Sequence, residues 1–451
     1  MQTINVDLTR AGGKIKYMNA VNNGPVAPGG GVRQTPSNFE LFKEAEISYA
    51  RLHDSSFFTG YGGEFSVDVH RIFRNFDADE NDPASYIFEP TDKYIANMIN
   101  AGCKPFYRLG ASIEHGYKFG TLPPADFAKW ARICEHIILH YNEGWANGFH
   151  YGIEYWEIWN EPDTGYKQGN SPTWGGTMDE FFELFETSLY YLKEKFPHLK
   201  IGGPSLCSVT DSRDILEDML TYLNRNGKKA PLDFFSWHMY GEDVNEFPRK
   251  IRLVDEILTE YGYGDIETIL NEWNYVKSWV GEGYLYSRKS SQGLKGASFV
   301  AGAMCVGQSE KLDMLMYYDA RPTTWNGIFE TGTYKPYKTY YAYTMFRDLL
   351  KLGTHVPTEY ADDGVYNCVA TDNNGSYGMM VTYFHDDDNA PPRDICIRFK
   401  NPSGRVRVEY RLLDENNNDK LIRSEIFTSE EFCTYLTMDV HSTYYISIKK
   451  I

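Results

Sequence analysis

The chain has 451 residues, 42% of them hydrophobic and 24% charged, which is the composition of a globular protein and excludes a fibre, a coiled coil or a disordered chain. Its 45 basic and 62 acidic residues give a net charge of −17, which argues against nucleic acid and anionic membranes as partners. The best candidate for a membrane span, residues 297–306, is shorter than the roughly 18 residues that a span requires.

Short apolar segments alternate with amphipathic helical patterns through most of the chain. Eight segments have the pattern of buried strands, namely residues 15–20, 47–53, 104–110, 155–160, 200–204, 234–240, 268–273 and 314–319. Helices are predicted between most of them, at residues 92–101, 127–141, 178–196, 212–226 and 248–261. Eight parallel strand–helix units close naturally into a (β/α)8 barrel, so a TIM barrel is predicted over residues 14–353.

The pattern changes after Gly353, where strands alternate with polar turns and no long helix is predicted. Six strands are expected, at residues 365–371, 377–384, 394–399, 406–413, 432–438 and 443–449. An antiparallel β-sandwich is therefore predicted over residues 354–451, and residues 1–13 contain a candidate further strand of it.

The cysteines and the first residues bear on the compartment. Seven cysteines lie far apart without a C-x-x-C pair, which is typical of buried free thiols. The N-terminal segment lacks the basic and then apolar pattern of a secretion signal. A cytoplasmic protein is expected, with secretion as the alternative if a signal has been removed.

Two glutamates stand at the ends of predicted barrel strands, where the catalytic groups of such barrels lie. Glu161 follows the fourth strand and Glu272 ends the seventh, each beside Asn and Trp. These strands lie on opposite sides of a small barrel, so the two side chains can converge over its mouth. Cleavage of a glycosidic bond needs such a pair, with one acid protonating the leaving oxygen and one carboxylate attacking the anomeric carbon. A single glutamate at a strand end is more often a structural ion-pair partner, but the pair favours catalysis.

The segment Trp-Glu-Ile-Trp-Asn-Glu-Pro at residues 156–162 resembles the acid/base signature of the retaining (β/α)8 glycoside hydrolases of clan A. Together with Lys-Ile-Gly-Gly-Pro at 200–204, Asp-Phe-Phe-Ser-Trp-His at 233–238 and Ile-Leu-Asn-Glu-Trp at 269–273, it makes the chain similar to glycoside hydrolase family 39. That family includes β-xylosidases and α-L-iduronidases. The resemblance covers about residues 15–350, and a C-terminal sandwich is also typical of the family.

The resemblance implies roles for four residues at the barrel mouth. Glu161 matches the general acid/base and Glu272 matches the nucleophile. Asn160 matches the residue that hydrogen-bonds the 2-hydroxyl of the sugar. Arg51 matches the guanidinium that holds the nucleophile ionised.

Four further residues are candidates for substrate binding. By the same resemblance, His53 and His238 match histidines that contact the sugar or the nucleophile. Tyr240 is two residues from His238, so both can face the same side of their strand. Trp325 lies in a predicted loop and is the tryptophan selected as a platform for a sugar ring.

Three observations limit these expectations. A sugar-binding Glu that β-xylosidases of the family carry soon after the eighth strand is absent here until Glu330. Arg321 either pairs with Asp319, which is the favoured interpretation, or meets an anionic sugar. His136 and His140 have the i, i+4 spacing of metal ligands but lack the Glu of H-E-x-x-H, so no metal site is predicted.

The sequence predicts a retaining, exo-acting glycoside hydrolase that removes a terminal sugar from an oligosaccharide or glycoside by double displacement, as a β-xylosidase does. Both roles are carried by carboxylates, so no cofactor is expected. The alternatives are another glycone (arabinose, glucose, galactose or a uronic acid) and a non-catalytic sugar-binding pseudo-enzyme. A pseudo-enzyme predicts a lost carboxylate, and neither is lost. A homo-oligomer is left open.

Overall fold

The computed structural model describes residues 2–28, 36–53, 67–114, 118–323, 327–358, 364–402 and 404–451. A first strand, β1 (Gln2–Asp7), precedes eight parallel strands that close into a barrel in chain order. The barrel strands are β2 (Tyr17–Asn22), β3 (Tyr49–Leu52), β4 (Lys104–Leu109), β5 (Tyr155–Ile158), β6 (Lys200–Leu206), β7 (Phe234–Gly241), β8 (Glu267–Tyr275) and β9 (Met314–Tyr317). β9 pairs with β2 and closes the barrel, which confirms the predicted TIM barrel.

Helices connect the strands, and their ends follow from local chemistry. They are α1 (Phe39–Ala45), α2 (Val69–Ile72), α3 (Glu89–Asn100), α4 (Phe127–Asn142), α5 (Met178–Lys195), α6 (Arg213–Asn224), α7 (Glu246–Glu260), α8 (Gly281–Gln292), α9 (Leu294–Ser309) and α10 (Lys338–Leu352). Short 3-10 helices occupy Pro83–Ser85, Trp145–Asn147, Tyr166–Gln168 and Arg225–Gly227. α5 begins with a reciprocal capping box between Thr177 and Glu180, which satisfies two backbone N–H groups. Within the part of the chain that the structure describes, no helix is long and apolar enough to cross a membrane.

The C-terminal strands form two sheets, which confirms the predicted β-sandwich. These strands are β10 (Thr354–Val356), β11 (Val365–Thr371), β12 (Tyr377–Tyr383), β13 (Arg393–Lys400), β14 (Val406–Leu413), β15 (Lys420–Phe427), β16 (Glu431–Met438) and β17 (Thr443–Lys450). One sheet has the order β10-β11-β12-β17-β14-β15 and the other β1-β13-β16. β1 pairs with β13 in parallel, whereas the other sandwich pairs are antiparallel. The sequence pattern missed β10 and β15, since β10 has three residues and β15 lies at a sheet edge with mostly exposed side chains.

α9 and α10 lie between the barrel and the sandwich. Residues 295–308 of α9 are all buried, because the helix has the barrel on one side and the larger sheet on the other. The rings of Phe299 and Phe384 meet edge to face with centroids 5.3 Å apart. Tyr366, Cys368 and Met380 of the sheet belong to the same hydrophobic core as the barrel helices. A shared core of this kind holds the two parts together by apolar burial.

A charged cluster reinforces this contact. The Lys295 ammonium, 5% exposed, lies 3.0 Å from a carboxylate oxygen of Asp386 and 3.0 Å from one of Asp388. Tyr275 donates a hydrogen bond of 2.6 Å to Asp386. Burial opposes ionisation of Asp386, but hydrogen bonds from Lys277, Tyr275 and Lys295 outweigh it and lower the pKa to about 2. The cluster therefore joins barrel residues to the loop after β12 through the Asp386 carboxylate, which stays ionised at neutral pH.

We expect Asp386→Asn to lower the free energy of unfolding by about 2 kcal/mol at pH 7, because the buried ammonium loses a charged partner. Urea denaturation measures the change. Because the pKa of Asp386 is depressed, its stabilisation is full above the ordinary aspartate value of 3.8 and is lost as the pH falls towards 2. The difference between the variant and the unsubstituted protein should therefore narrow below pH 3.8. Glu89→Gln, in an exposed ion pair with Lys93, is the control and should change stability by less than about 0.5 kcal/mol.

Candidate active site

Side chains that face into the barrel recur at every second residue of a strand, and they change from apolar to polar towards the carboxyl ends. The lower positions form a closed apolar layer of Ala20, Tyr49, Phe106, Tyr155, Phe234, Ile269, Met314 and Met316. Two residues further along, the inward positions carry Arg51 on β3, Glu157 on β5 and Ser236 on β7. The polar site therefore lies directly above an apolar layer that excludes water.

Arg51 lies at the centre of the polar layer and is fully buried. Its Nε donates to Glu157 Oε2 at 2.7 Å and its Nη1 to Glu272 Oε1 at 2.9 Å. Its Nη2 donates to Asn160 Oδ1 at 2.6 Å and to Ser205 Oγ at 3.0 Å. A guanidinium presents five N–H donors in a fixed plane, so one side chain sets the positions of four others.

Glu157 is one of two residues of the site, with Ser205, that the sequence reasoning missed. It is fully buried and also accepts hydrogen bonds from Ser236 Oγ at 2.6 Å and Asn271 Nδ2 at 2.5 Å. With Arg51 bound as well, its carboxylate is paired and hydrogen-bonded, as a buried charge requires. The available signal was its position, two residues after Tyr155 in an apolar strand, where a charged residue must face a buried partner.

Glu161 and Glu272 converge over the barrel mouth, as predicted from the strand ends. A carboxylate oxygen of each and a ring nitrogen of His238 all lie within 4.8 Å of one another. The chain reaches this arrangement by leaving β5 through a turn in which Trp159 and Glu161 have φ of 74° and 49°. Such left-handed conformations of non-glycine residues are strained and cluster at functional sites. The turn also directs the Trp159 ring outward against Trp174, with centroids 5.1 Å apart.

Glu272 is held from three sides. Besides Arg51, it accepts a hydrogen bond of 2.9 Å from Tyr240 Oη, and His53 Nε2 lies 3.2 Å from its Oε1. Its pKa is raised above the ordinary glutamate value, because burial and the charge of Glu161 outweigh the lowering by His238, Arg51 and Tyr240. Arg51 therefore favours the ionised form of Glu272, as expected, while burial and Glu161 oppose it, and the role of Arg51 in holding the carboxyl ionised stays a prediction.

Both predicted histidines are buried and neutral. Burial lowers the pKa of His53 well below its usual value, and Arg51 adds to the effect. Arg51 Nη1 lies 3.2 Å from His53 Nδ1 and can only donate, so the ring proton of His53 is on Nε2 and faces Glu272. Burial lowers the pKa of His238 to about 4. Its Nδ1 lies 2.8 Å from Glu161 Oε1 and its Nε2 lies 2.7 Å from Ser205 Oγ.

The remaining predicted residues have different outcomes. Asn160 turns its oxygen to Arg51, and its Nδ2 is buried with no hydrogen-bond partner among the described residues. Trp325 lies outside the described residues, so its role stays a prediction. Trp279, which was not selected, meets Tyr240 edge to face at 5.1 Å and is 57% exposed. Arg321 pairs with Asp319, which confirms the favoured interpretation of that residue.

The spacing of Glu161, His238 and Glu272 also suits a metal ion. Arg51 already supplies a positive charge 2.9 Å from Glu272, which lessens the need for a cation there. In the other histidine pair with metal-ligand spacing, His136 and His140, His140 instead contacts Asp92 at 3.0 Å. The arrangement favours acid–base and nucleophilic chemistry by the two glutamates.

A (β/α)8 barrel with glutamates at the ends of its fourth and seventh strands is the architecture that the sequence resemblance to clan A glycoside hydrolases implies. The model of glycosyl hydrolases family 39 matches residues 46–276, just over half of the chain, and the chain belongs to this family.

Curated relatives agree with this family. A β-xylosidase of Caldicellulosiruptor saccharolyticus is 26% identical over 214 residues, which are 45% of this chain and 38% of the relative. A β-xylosidase of Geobacillus stearothermophilus is 27% identical over 221 residues, which are 46% of this chain and 38% of the relative. The matched region thus spans well under half of the length of either relative.

Solved structures agree in fold. A glucosidase from Croceicoccus marinus has a TM-score of 0.79 at 20% identity, covering 100% of this chain and 99% of that one. A monomeric β-xylosidase from Caulobacter crescentus has a TM-score of 0.71 at 16% identity, covering 100% of both chains. These similarities extend over the barrel and the sandwich together.

We expect Arg51→Met to lower the free energy of unfolding by about 3–5 kcal/mol, because it leaves buried carboxylates without a counter-charge. Glu157→Gln should also destabilise, since it leaves Arg51 with one charged partner fewer. The double variant should be more stable than the sum of the two losses implies, by at least about 1 kcal/mol. Urea denaturation of the four proteins measures this coupling. Additive losses would show that the Arg51–Glu157 ion pair is not the main contact of either residue.

Proposed function

We propose that the chain is a retaining, exo-acting glycoside hydrolase that removes a terminal sugar by double displacement, with Glu272 as nucleophile and Glu161 as general acid/base. The glycone that we infer is xylose or a closely related sugar. The observation that carries the proposal is the approach of the two carboxylates to within 4.8 Å. Retaining pairs lie about 5–5.5 Å apart, whereas inverting pairs leave about 6.5–9.5 Å for a water.

The nucleophile role of Glu272 is supported by the donors around it. Arg51, His53 and Tyr240 each contact one of its oxygens. These contacts fix the carboxylate in place and stabilise the negative charge that attacks the anomeric carbon. The same carboxylate is the leaving group when the glycosyl–enzyme bond breaks. Its compensated negative charge makes it suitable for that step as well.

The acid/base role of Glu161 is supported by its contact with His238. An ionised Glu161 accepts a hydrogen bond from Nδ1–H of the neutral ring, and a protonated Glu161 can donate a hydrogen bond to Nδ1 when the ring proton is on Nε2. Ser205 can adapt to either tautomer, because its hydroxyl is both donor and acceptor. The ring thus accommodates both protonation states that Glu161 passes through in the two half-reactions.

Contacts to the sugar are supported by one unpaired donor. Because Asn160 presents its oxygen to Arg51, its Nδ2 has no hydrogen-bond partner among the described residues, in keeping with the contact to the 2-hydroxyl implied by the family. The pairing of Arg321 with Asp319 gives no support to an anionic glycone. The relatives named β-xylosidase support xylose, and the absent Glu after the eighth strand makes other neutral glycones the alternatives to test.

A reducing compartment such as the cytoplasm is the proposed location. The seven cysteines are all free, and five of them are buried. Free thiols persist in reducing compartments, whereas oxidising ones favour disulfides.

Leaving-group dependence tests the two roles. Glu161→Ala should slow hydrolysis of a disaccharide about 10²–10⁴-fold, since a poor leaving group needs a proton, but should spare the first step on a 2,4-dinitrophenyl glycoside. Azide should then restore turnover and yield the β-azide from a β-glycoside. Glu272→Ala should be inactive on both substrates. The exposed Glu282→Ala is the matched control and should keep full activity.

A panel of nitrophenyl glycosides of xylose, arabinose, glucose, galactose and glucuronic acid should identify the glycone, with the xyloside expected to have the highest kcat/KM. Equal losses for both catalytic variants on all leaving groups, without azide rescue, would contradict the assigned roles. Sugar binding without turnover of any glycoside would indicate the pseudo-enzyme.

The pH profile tests the environment of the nucleophile. Glu272 must lose its proton to attack, and its pKa is raised above 4.5, so the acidic limb of kcat/KM should lie above pH 4.5. Tyr240→Phe removes a hydrogen bond that lowers this pKa, so the limb should move to higher pH. Tyr261→Phe, at the end of α7, is the control and should leave the limb in place. A limb that does not respond to Tyr240→Phe would show that it reports another group.

A further inference from the structure

Three buried polar side chains connect Glu157 to Glu161 through the interior of the barrel. Asn271 Nδ2 lies 2.5 Å from Glu157 Oε1, and Asn271 Oδ1 lies 3.1 Å from Ser205 Oγ. Ser205 Oγ lies 2.7 Å from His238 Nε2, and His238 Nδ1 lies 2.8 Å from Glu161 Oε1. All five residues are at most 6% exposed, so their polar groups depend on one another for hydrogen bonds.

The direction of each hydrogen bond in this chain is set from its Glu157 end. The carboxylate of Glu157, paired with Arg51, only accepts. The amide of Asn271 therefore turns its Nδ2 to Glu157 and its Oδ1 to Ser205. An amide oxygen also only accepts, so the Ser205 hydroxyl donates to it. Arg51 Nη2, 3.0 Å from Ser205 Oγ, donates to that oxygen, which leaves one lone pair of Ser205 for another donor.

His238 is that donor. Its Nε2 carries the ring proton, since the remaining lone pair of Ser205 Oγ can only accept. Glu272 Oε1 lies 3.6 Å from the same nitrogen and, when ionised, also favours a proton there. The ring is neutral, because burial lowers the pKa of His238 to about 4. Its Nδ1 is therefore an acceptor, and Glu161 donates to it only when Glu161 is protonated.

The opposite arrangement loses one hydrogen bond. When Glu161 is ionised, the ring proton of His238 must be on Nδ1, and the Ser205 hydroxyl must turn to Nε2. Asn271 Oδ1 then loses its hydrogen-bond donor among the described residues. We infer that Ser205 is a positioning residue that, through His238, favours the protonated form of Glu161 and so prepares it as the general acid of the first step. This inference rests on the proposed role of Glu161.

Other titratable groups act on Glu161 as well. Those that the structure records around it are Glu272, His238, Tyr240, Cys207 and Asp163. Among these described residues, His238 is the one that Ser205 Oγ contacts. Carboxylates act on Glu161 through their charge, whereas Ser205 acts through the ring. Substitution of Ser205 therefore isolates the contribution of the hydrogen-bond chain.

NMR of protein with heavy nitrogen in its histidine rings locates the ring proton without reference to activity, and His238→Gln assigns the signal. At a pH below the basic limb of the activity profile, the proton should be on Nε2 in the unsubstituted protein. It should move to Nδ1 in Ser205→Ala, because a buried Nε2–H would lack an acceptor. Ser188→Ala, at a buried serine of α5, is the matched control and should leave the proton in place. A proton on Nδ1 in the unsubstituted protein, or on Nε2 in Ser205→Ala, would overturn the inference.

The pH profile of kcat/KM on a disaccharide tests the consequence for catalysis. Its basic limb marks the loss of the Glu161 proton, so Ser205→Ala should move it about one pH unit lower, the equivalent of one hydrogen bond of about 1.4 kcal/mol. Ser205→Gly removes the same hydroxyl at a position whose φ of 63° suits glycine, and it should give the same shift. Ser205→Cys keeps a weak donor and acceptor and should shift the limb less.

A 2,4-dinitrophenyl glycoside separates this effect from general damage to the site. Its first step needs no proton, so its kcat/KM should stay within about twofold in Ser205→Ala, whereas a displaced Arg51 would lower it. An unmoved limb in both hydroxyl-free variants, or equal losses on both substrates, would contradict the role of Ser205. Glu161→Gln tests the proposed function by itself, because it should remove the basic limb on the disaccharide. If that limb persists, both the acid role and the inference built on it are wrong.

Discussion

The active site depends on one buried guanidinium. Arg51 lies between Glu157 below and Glu272 above, and it is fully excluded from water. Transfer of a charge from water to such a place is unfavourable by several kcal/mol, and it is tolerated only when opposite charges and hydrogen bonds surround it. Each polar neighbour of Arg51 is therefore tied to the others, because the loss of any one leaves a buried charge or donor without its partner.

The buried ion pairs of Arg51 also explain why the polar layer depends on the apolar layer beneath it. The rings of Tyr49, Phe106, Tyr155 and Phe234 close the barrel and exclude water from below. Coulomb interactions are stronger in such surroundings, and desolvation also raises the pKa of Glu272 and keeps the histidines neutral. Arg51 compensates the negative charge of Glu157 as well as that of Glu272, so its positive charge is shared between two carboxylates.

The sequence was sufficient for the barrel and for the pair of glutamates, because both follow from local pattern. Strands buried on both faces are apolar runs, and catalytic groups lie at their carboxyl ends. Glu157 and Ser205 were missed because their importance comes from Arg51, which is 106 residues from Glu157 along the chain. The raised pKa of Glu272 was also beyond the sequence, since the burial that dominates it is a property of the assembled barrel. β15 lacks apolar alternation because it lies at the edge of its sheet.

Trp159 anchors the turn that follows β5 from outside the barrel. By simple alternation from Tyr155 and Glu157, its side chain would point into the barrel, but its φ of 74° turns it outward and brings Asn160 to Arg51. The strain of this turn, together with that at Glu161, is offset by anchoring outside the barrel. The indole donates a hydrogen bond of 3.0 Å to the carbonyl of Thr173 and meets Trp174 edge to face. The contacts of Trp159 with Thr173 and Trp174 are thus part of the support that fixes the turn carrying Glu161.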